Sequence, residues 1–334
     1  MKGLILGRRD LIKLAALAGL FSVASCGISG QRSTLISYKG VLPSNLLKRL
    51  ESQWRFELLK DNSSIDKNNL HLDEGVDLLA LGDGWLNDLP LDSFQLIEPS
   101  ELHSRLDRKA ILFLSSFTPD IAGKLFPIGF SPWVILLRRE EHLLPKARNT
   151  WEVLLEKELT GQLVLPKSPR LVMALADRMG YGDELRRLRL QAKTFDDENA
   201  INWVVSGKAK AAVAPLQYCM GALSRDPRLQ IALPNEGAPL NWTILTRPKL
   251  TNKPLPCSWV REAWEMPLMG KLVAKGWFPP LPYADILKAK NYLSKEQQIT
   301  VFPSEKTFDN FWSIAPLDNW DEKIMRERWL DSTP

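Results

Sequence analysis

Cysteine, histidine and tyrosine are the scarce residues of this chain, numbering three, three and five in 334. The cysteines stand at 26, 219 and 257 and the histidines at 71, 103 and 142, so no Cys-x-x-Cys pair and no His-Glu-x-x-His helix can form. That spacing excludes the common zinc modules and zinc peptidases. Tyrosine is too sparse and scattered for a cluster that would hold ferric iron. There is no nucleophile elbow, and Gly82-Asp83-Gly84 is too short for a phosphate-cradling loop. No catalytic residue, metal ligand or cofactor is therefore assigned, and the chain is read as a non-enzyme. An excess of charge of one sign is also missing. The formal net charge is +5, but Lys2, Arg8, Arg9 and Lys13 against Asp10 supply +3 of it within the first 25 residues. The remainder is nearly balanced and has no basic tract suited to nucleic acid.

What is present begins at the amino end. A basic head, Arg8-Arg9-Asp10-Leu11-Ile12-Lys13, precedes an apolar run from Leu14 to Val23, and Val23-Ala24-Ser25-Cys26-Gly27 closes it. This order marks an export signal. The run is shorter than the roughly 20 residues of a spanning helix, and no later stretch is long enough either. The paired arginines look like a twin-arginine signal, with an ordinary Sec signal as the alternative. The small residues before Cys26 resemble a bacterial lipobox. The mature chain is then expected to start at Cys26, anchored by lipid in the cell envelope and facing the periplasm; which membrane holds it is open. Two acyl chains anchor firmly where one holds only marginally. Cys219 and Cys257 could pair in an oxidising compartment, but two unpaired thiols are the preferred reading.

The pattern that follows alternates strands and helices. Apolar runs at 34–38, 55–59 and 76–81 read as strands, and 44–54 as a helix, with a polar loop at 61–69. Beyond the middle, 151–159, 169–179, 184–192 and 196–205 read as helices, and 163–165, 211–214, 231–234 and 242–246 as strands. The acidic group Asp196-Asp197-Glu198 reads as a solvated first turn. The last third is helical and rich in Trp and Pro. Such alternation argues for an α/β fold with a parallel sheet covered on both faces, and ligands gather at the carboxyl ends of its strands. Tyr38 and Asp83-Gly84-Trp85 stand at two such ends.

Several segments, in order, carry a resemblance: Tyr38-Lys-Gly-Val-Leu-Pro43; Val76-Asp-Leu-Leu-Ala-Leu-Gly-Asp-Gly-Trp-Leu86; Phe126-Pro-Ile-Gly-Phe-Ser-Pro-Trp133; Thr150-Trp-Glu-Val-Leu-Leu155 with Leu159-Thr-Gly161 and Leu163-Val-Leu-Pro166; Leu233-Pro-Asn-Glu-Gly237 with Trp242; and Val301-Phe-Pro-Ser-Glu305. Together they resemble the spermidine/putrescine-binding family of bacterial extracellular solute-binding proteins, which serve ABC importers. The resemblance implies a two-lobed periplasmic-binding-protein fold of type II, with two hinge strands joining the lobes. Residues 1–25 would be the signal peptide, 26–33 a tether, 34–130 plus 246–334 lobe 1, and 131–245 lobe 2. It also implies a small-molecule solute, an ABC permease as partner, and a monomer that closes by hinge motion.

In that family, aromatic rings line a polyamine's methylenes and carboxylates hold its ammonium groups. The resemblance puts rings at Tyr38, Trp85 and Phe130, and at Trp242 one residue late. The carboxylates are largely absent. Gly40 stands where the family often has Glu, Pro166-Lys-Ser-Pro-Arg170 replaces an acidic loop, and Thr243 is the nearest match to a third acid. Asp83 is the one acid near the expected cleft. Lys39, Lys167 and Arg170 would repel a cation by roughly 4 kcal/mol per close contact at an effective dielectric of ~20, and a helix start beyond 168 favours an anion. An anionic or zwitterionic solute therefore suits these residues better than a simple polyamine. Each position has a plainer structural reading: Asp83 as a turn former, Trp85 as a lobe cap, Lys167 and Arg170 as surface charges, Tyr218 as structural, and Trp133, Trp151 and Trp203 as core. Two other roles stay open, a sensor or scaffold of the envelope that has lost transport, and an exported enzyme on the same fold.

Replacing the lipid-bearing thiol tests the leader. A Cys26→Ser chain is expected to leave the membrane fraction and to stop incorporating radiolabelled fatty acid in cells; unchanged labelling would refute lipidation at Cys26.

Overall fold

The computed structural model describes residues 32–59, 75–314, 316–317 and 319–334. Arg8, Arg9, Cys26, most of the tether, the polar loop at 61–69 and His71 lie outside the described residues. Among those described, no helix is long and apolar enough to cross a membrane.

Among the described residues, ten strands form the framework. In lobe 1, β1 (Ser33–Ser37) pairs in parallel with β2 (Trp54–Leu58) and β3 (Leu78–Gly82). Strand β4 (Phe94–Gln95) adds a short antiparallel edge to β10 (Leu240–Pro248), and β10 lies between β3 and β5 (Phe126–Arg138), antiparallel to both. In lobe 2, β6 (Leu163–Leu165) pairs in parallel with β7 (Ala192–Phe195) and β8 (Ala211–Pro215), while β8 and β9 (Leu229–Ala232) flank the distal half of β5. The central strands β1, β3, β6 and β8 are buried along their whole length. Their unbroken apolar runs are those of strands covered on both faces.

Strand β5 belongs to both lobes. Its first half, to Pro132, pairs with β10, and from Trp133 it pairs with β8. Two other segments cross beside it. The backbone of Trp133 donates to Pro239 O at 2.9 Å, Trp312 N to Ala238 O at 3.1 Å, and Leu240 N to Trp312 O at 2.9 Å. The third crossing, at Trp312, sends the chain back to lobe 2. Helix Asn319–Asp331, placed in lobe 1 by the sequence, packs on lobe 2 instead. There Arg328 pairs with Asp177, the Arg189 guanidinium covers the Trp329 ring at 4.0 Å, and Phe195 meets Trp329 edge-on at 5.6 Å.

Buried indoles tie these layers together. Trp151, Trp259 and Trp264 each donate Nε1–H to a backbone carbonyl, of Gly237, Leu46 and Ile128 at 2.9, 2.9 and 2.8 Å. Trp242 and Trp277 donate to the hydroxyls of Ser313 and Thr243, at 2.9 and 3.0 Å. A buried indole N–H without a partner would lose its solvation uncompensated, so each of these tryptophans fixes an orientation as well as filling space.

Some local expectations shift. The helix expected over 44–54 ends at Leu47, because the chain must turn in time for Trp54 to open β2 opposite Ser33. Residues 151–159 form two short 3-10 turns rather than one helix. The helix expected from 196 starts at Ala200, since the Asp196 carboxylate accepts from the backbone of Glu198 and Asn199 and from Trp203 Nε1, holding an open turn. Cys219 and Cys257 are both free thiols, and burial pushes Cys219 up to about 12.

Gly129, in β5, has no room for a side chain: an added Cβ would lie 1.9 Å from Cζ2 of Trp277, whose ring is held by Thr243. Gly129→Ala is expected to cost about 3 kcal/mol as overpacking, read as a lowered denaturant midpoint with unchanged slope. A loss near zero would mean that the indole can step aside.

Candidate functional site

The neighbouring strands β1 and β3 end side by side, with Ser37 opposite Ala80. The residues just past those ends therefore meet. Tyr38 stacks flat on Trp85, with ring centroids 4.2 Å apart and planes at 11°. Trp85 keeps 39% of its surface exposed, which makes the pair an apolar wall that still faces solvent.

Asp83 starts the 3-10 turn Asp83–Asp88, and its Oδ1 accepts from Trp242 N at 3.0 Å. Desolvation raises its carboxyl to about 6, against the lowering effects of the Trp242 hydrogen bond and of the positive charge of Arg170. Arg170 comes from the opposite lobe, in the first turn of helix Pro169–Met179, where Ser168 Oγ caps by accepting from Leu171 N. Its Nη2 donates to Ile314 O at 3.1 Å, on the third crossing. Desolvation lowers its guanidinium, and the charge of Asp83 partly restores it. A carboxylate and a guanidinium thus act on each other across the cleft, each held partly out of water.

The other expected residues are placed differently. Phe130, Trp242 and Thr243 are buried in the core and are not cleft residues. Trp242 stacks on Phe113 at 5.0 Å and meets Phe130 edge-on at 5.4 Å; Thr243 accepts from Trp277. They lie on β5 and β10, strands with neighbours on both edges, where packing takes both faces. Lys39 is exposed on the turn after β1. Lys167 is exposed and bonded to Glu198 at 3.3 Å, while its backbone N–H goes to Asp197 Oδ1 at 3.1 Å. The acidic group at 196–198 thus serves this loop and is not simply a solvated turn. Hydrogen bonding to Glu198 holds the Lys167 ammonium above its ordinary range, and burial raises the Asp197 carboxyl.

Sequence reasoning missed the latch of the cleft. Gln217, at the start of helix Leu216–Leu223, donates its backbone N–H to Ser131 Oγ at 3.0 Å and its Nε2 to Gly40 O at 3.1 Å. Gly40 has φ of +88°, and a Cβ there would lie 3.1 Å from Tyr218 Cε1. A Glu at this position would be strained. The Lys-Gly step after Tyr38 was the available signal for this turn. Away from the cleft, Glu140, His142 and Glu158 come together in lobe 2 despite their separation in sequence. His142 Nε2 is 2.6 Å from Glu158, and Glu140 is paired with Lys210 at 3.4 Å.

No family model matches the chain, and no curated protein matches it. Solved structures do. The TpPotD lipoprotein of Treponema pallidum is 15% identical, with TM-score 0.64 over 90% of this chain and 98% of that one. The spermidine/putrescine substrate-binding protein PotD of Streptococcus pneumoniae, bound to calcium and HEPES, is 13% identical, with TM-score 0.60 over 90% and 98%. A ferric binding protein from Campylobacter jejuni is 14% identical, with TM-score 0.61 over the same shares.

The fold is that of the type II periplasmic binding proteins.

Asp83 and the stacked Tyr38 and Trp85 follow strands of lobe 1, and Arg170 reaches towards Asp83 from lobe 2. The raised Asp83 carboxyl gives a pH test. The folded protein holds that proton more tightly than the unfolded chain, whose carboxyl titrates near 3.8. Stability contributed by the proton is present below about pH 4 and lost as pH rises to about 6. Each tenfold difference in proton affinity is worth about 1.36 kcal/mol. Between these limits wild type should therefore lose about 3 kcal/mol relative to Asp83→Asn. Parallel pH profiles for the two proteins would contradict the raised carboxyl.

Proposed function

We propose that this chain is the solute receptor of an ABC importer, exported and lipid-anchored at Cys26, working as a monomer that captures an anionic or zwitterionic small molecule and hands it to a permease. The observation that carries this reading is the pair Asp83 and Arg170, charges of opposite sign contributed by two lobes that strand β5 joins. Closure brings Arg170 towards Asp83 and Gln217 onto Gly40, so a solute in the cleft would be gripped by both lobes. The relatives in fold named above include receptors for polyamines and for ferric iron. The local charges here suit neither a polyamine nor a tyrosine-held ferric ion.

A second reading rests on a different observation. Tyr38 and Trp85 stack on each other, and Gln217 bridges the lobes through Gly40 O. A cleft closed by its own side chains suits an envelope sensor or scaffold that has given up transport. No such specific observation favours an exported enzyme.

Thermal unfolding of residues 27–334 with a panel of polyamines, amino acids, dicarboxylates, phosphate esters and sugars separates these. A ligand at 100 times its dissociation constant adds about 2.7 kcal/mol, a shift of several degrees. A shift with an anionic or zwitterionic compound supports the receptor. A shift with polyamines alone would overturn the assigned ligand class, and none with any compound would favour the scaffold.

A further inference from the structure

The spacing of cysteine and histidine along the chain excludes the common zinc modules, but the fold assembles another set of ligand groups on lobe 2, away from the cleft. Strand β5 ends at Arg138, and Glu140 and His142 stand on the turn beyond it; Glu158 comes from the 3-10 turn Lys157–Leu159. His142 Nε2 lies 2.6 Å from Glu158 Oε2, and its Nδ1 lies 3.9 Å from Glu140 Oε2. One ligand atom from each residue can be chosen so that all three lie within 4.8 Å of one another. Two ligands of a tetrahedral ion, each about 2.1 Å from it, stand roughly 3.4 Å apart. The groups therefore need to close by no more than about 1.4 Å. The side chains of His142 and Glu158 are 56% and 49% exposed, which leaves room for that movement.

A hydrogen bond between His142 and Glu158 accounts for two of these groups and leaves Glu140 unexplained. The Glu140 side chain is only 10% exposed, and among the described residues its carboxylate accepts no hydrogen bond. Lys210 Nζ stands 3.4 Å from Oε1, while Oε2 faces the imidazole. A buried charge needs both a counter-charge and hydrogen bonds or ligation, and the Lys210 ammonium supplies only the first. The backbone is set to carry this carboxylate inward. Arg139 is the one non-glycine residue among those described with φ in the left-handed region, at +57°, and its N–H is fixed on Arg228 O at 3.0 Å. This turn takes the chain from the exposed Arg139 to the buried Glu140. Strain of this kind persists only where the surroundings hold it.

We propose that Glu140, His142 and Glu158 bind a divalent transition-metal ion of the zinc type. The site is independent of the receptor reading. An imidazole with two carboxylates suits zinc and its neighbours, whereas calcium and magnesium take oxygen ligands throughout. The ion takes Glu140 Oε2 and leaves Oε1 to Lys210. It replaces the His142–Glu158 hydrogen bond with two coordinate bonds and leaves a further position to water on the exposed side. Bound there, it ties the turn after β5 to the turn Lys157–Leu159 and so braces lobe 2 without touching Asp83, Arg170, Tyr38 or Trp85.

Zinc titration of the processed chain in detergent, in competition with a chromophoric chelator, tests it. Zinc should bind at least tenfold more tightly than calcium or magnesium and should raise the thermal midpoint of the wild type. In a sample with labelled histidine, zinc should move the imidazole resonances of His142 and leave those of His103 in place. His142→Asn and Glu158→Gln, both at exposed positions, should each weaken zinc binding at least tenfold and abolish the thermal shift, whereas His103→Ala should bind zinc as the wild type does. Glu140→Gln should weaken binding as far, and Glu140→Asp, which keeps a charge for Lys210, serves if the glutamine variant does not fold. Zinc binding left unchanged by His142→Asn or Glu158→Gln would put the ion elsewhere and overturn the site. Calcium or magnesium bound as tightly as zinc would overturn the metal class, and no zinc binding by the wild type would overturn the proposal outright.

Discussion

One strand is shared by two sheets, and the rest of the molecule is arranged around that fact. Strand β5 spends its first half bonded to β10 and its second to β8 and β9. A backbone N–H or C=O in the buried centre of a protein must find a partner. The chain solves this at the changeover by bringing in Pro239 and Trp312, so that the donor of Trp133 is satisfied where the first sheet ends. The hinge is thus a place where hydrogen-bond partners are exchanged, with the ladder continuing through it.

The aromatic residues enforce the same geometry. Gly129 leaves space for the ring of Trp277, whose N–H ends on Thr243 of the adjoining strand. Trp242 reaches Ser313 on the third crossing, and Trp151 reaches Gly237 on the second. Each indole joins two segments far apart in sequence through one directional bond. Gly237, with φ of +96° and the Asn310 carbonyl oxygen 2.0 Å from the place of its missing Cβ, packs the second and third crossings against each other.

Much of the framework was legible because local composition and tertiary demand agreed. Apolar runs ended by turn residues gave β1 and β3, and so put Tyr38 and Asp83-Gly84-Trp85 at adjoining strand ends. Arg170 was found through the resemblance, in the loop Pro166–Arg170, with the helix start beside it as further support. Where sequence reasoning went astray, the deciding contacts were distant. The resemblance puts Phe130, Trp242 and Thr243 in the cleft, and only their neighbours on both strand edges make them core. Gln217 is an ordinary polar residue until the chain brings it to Gly40, 177 positions away. Helix Asn319–Asp331 carries no local mark of the lobe it joins, since that is decided by the crossing at Trp312.

That crossing has a mechanical consequence. The described chain begins with β1 in one lobe and ends with helix Asn319–Asp331 on the other. A pull applied between these ends passes through the hinge, loading the lobes in series and the three crossing segments side by side. A pull confined to the amino end reaches lobe 1 alone. With lobe 1 held at that end, any displacement about the three crossings is a displacement of lobe 2, together with Trp329 and the arginine that covers it.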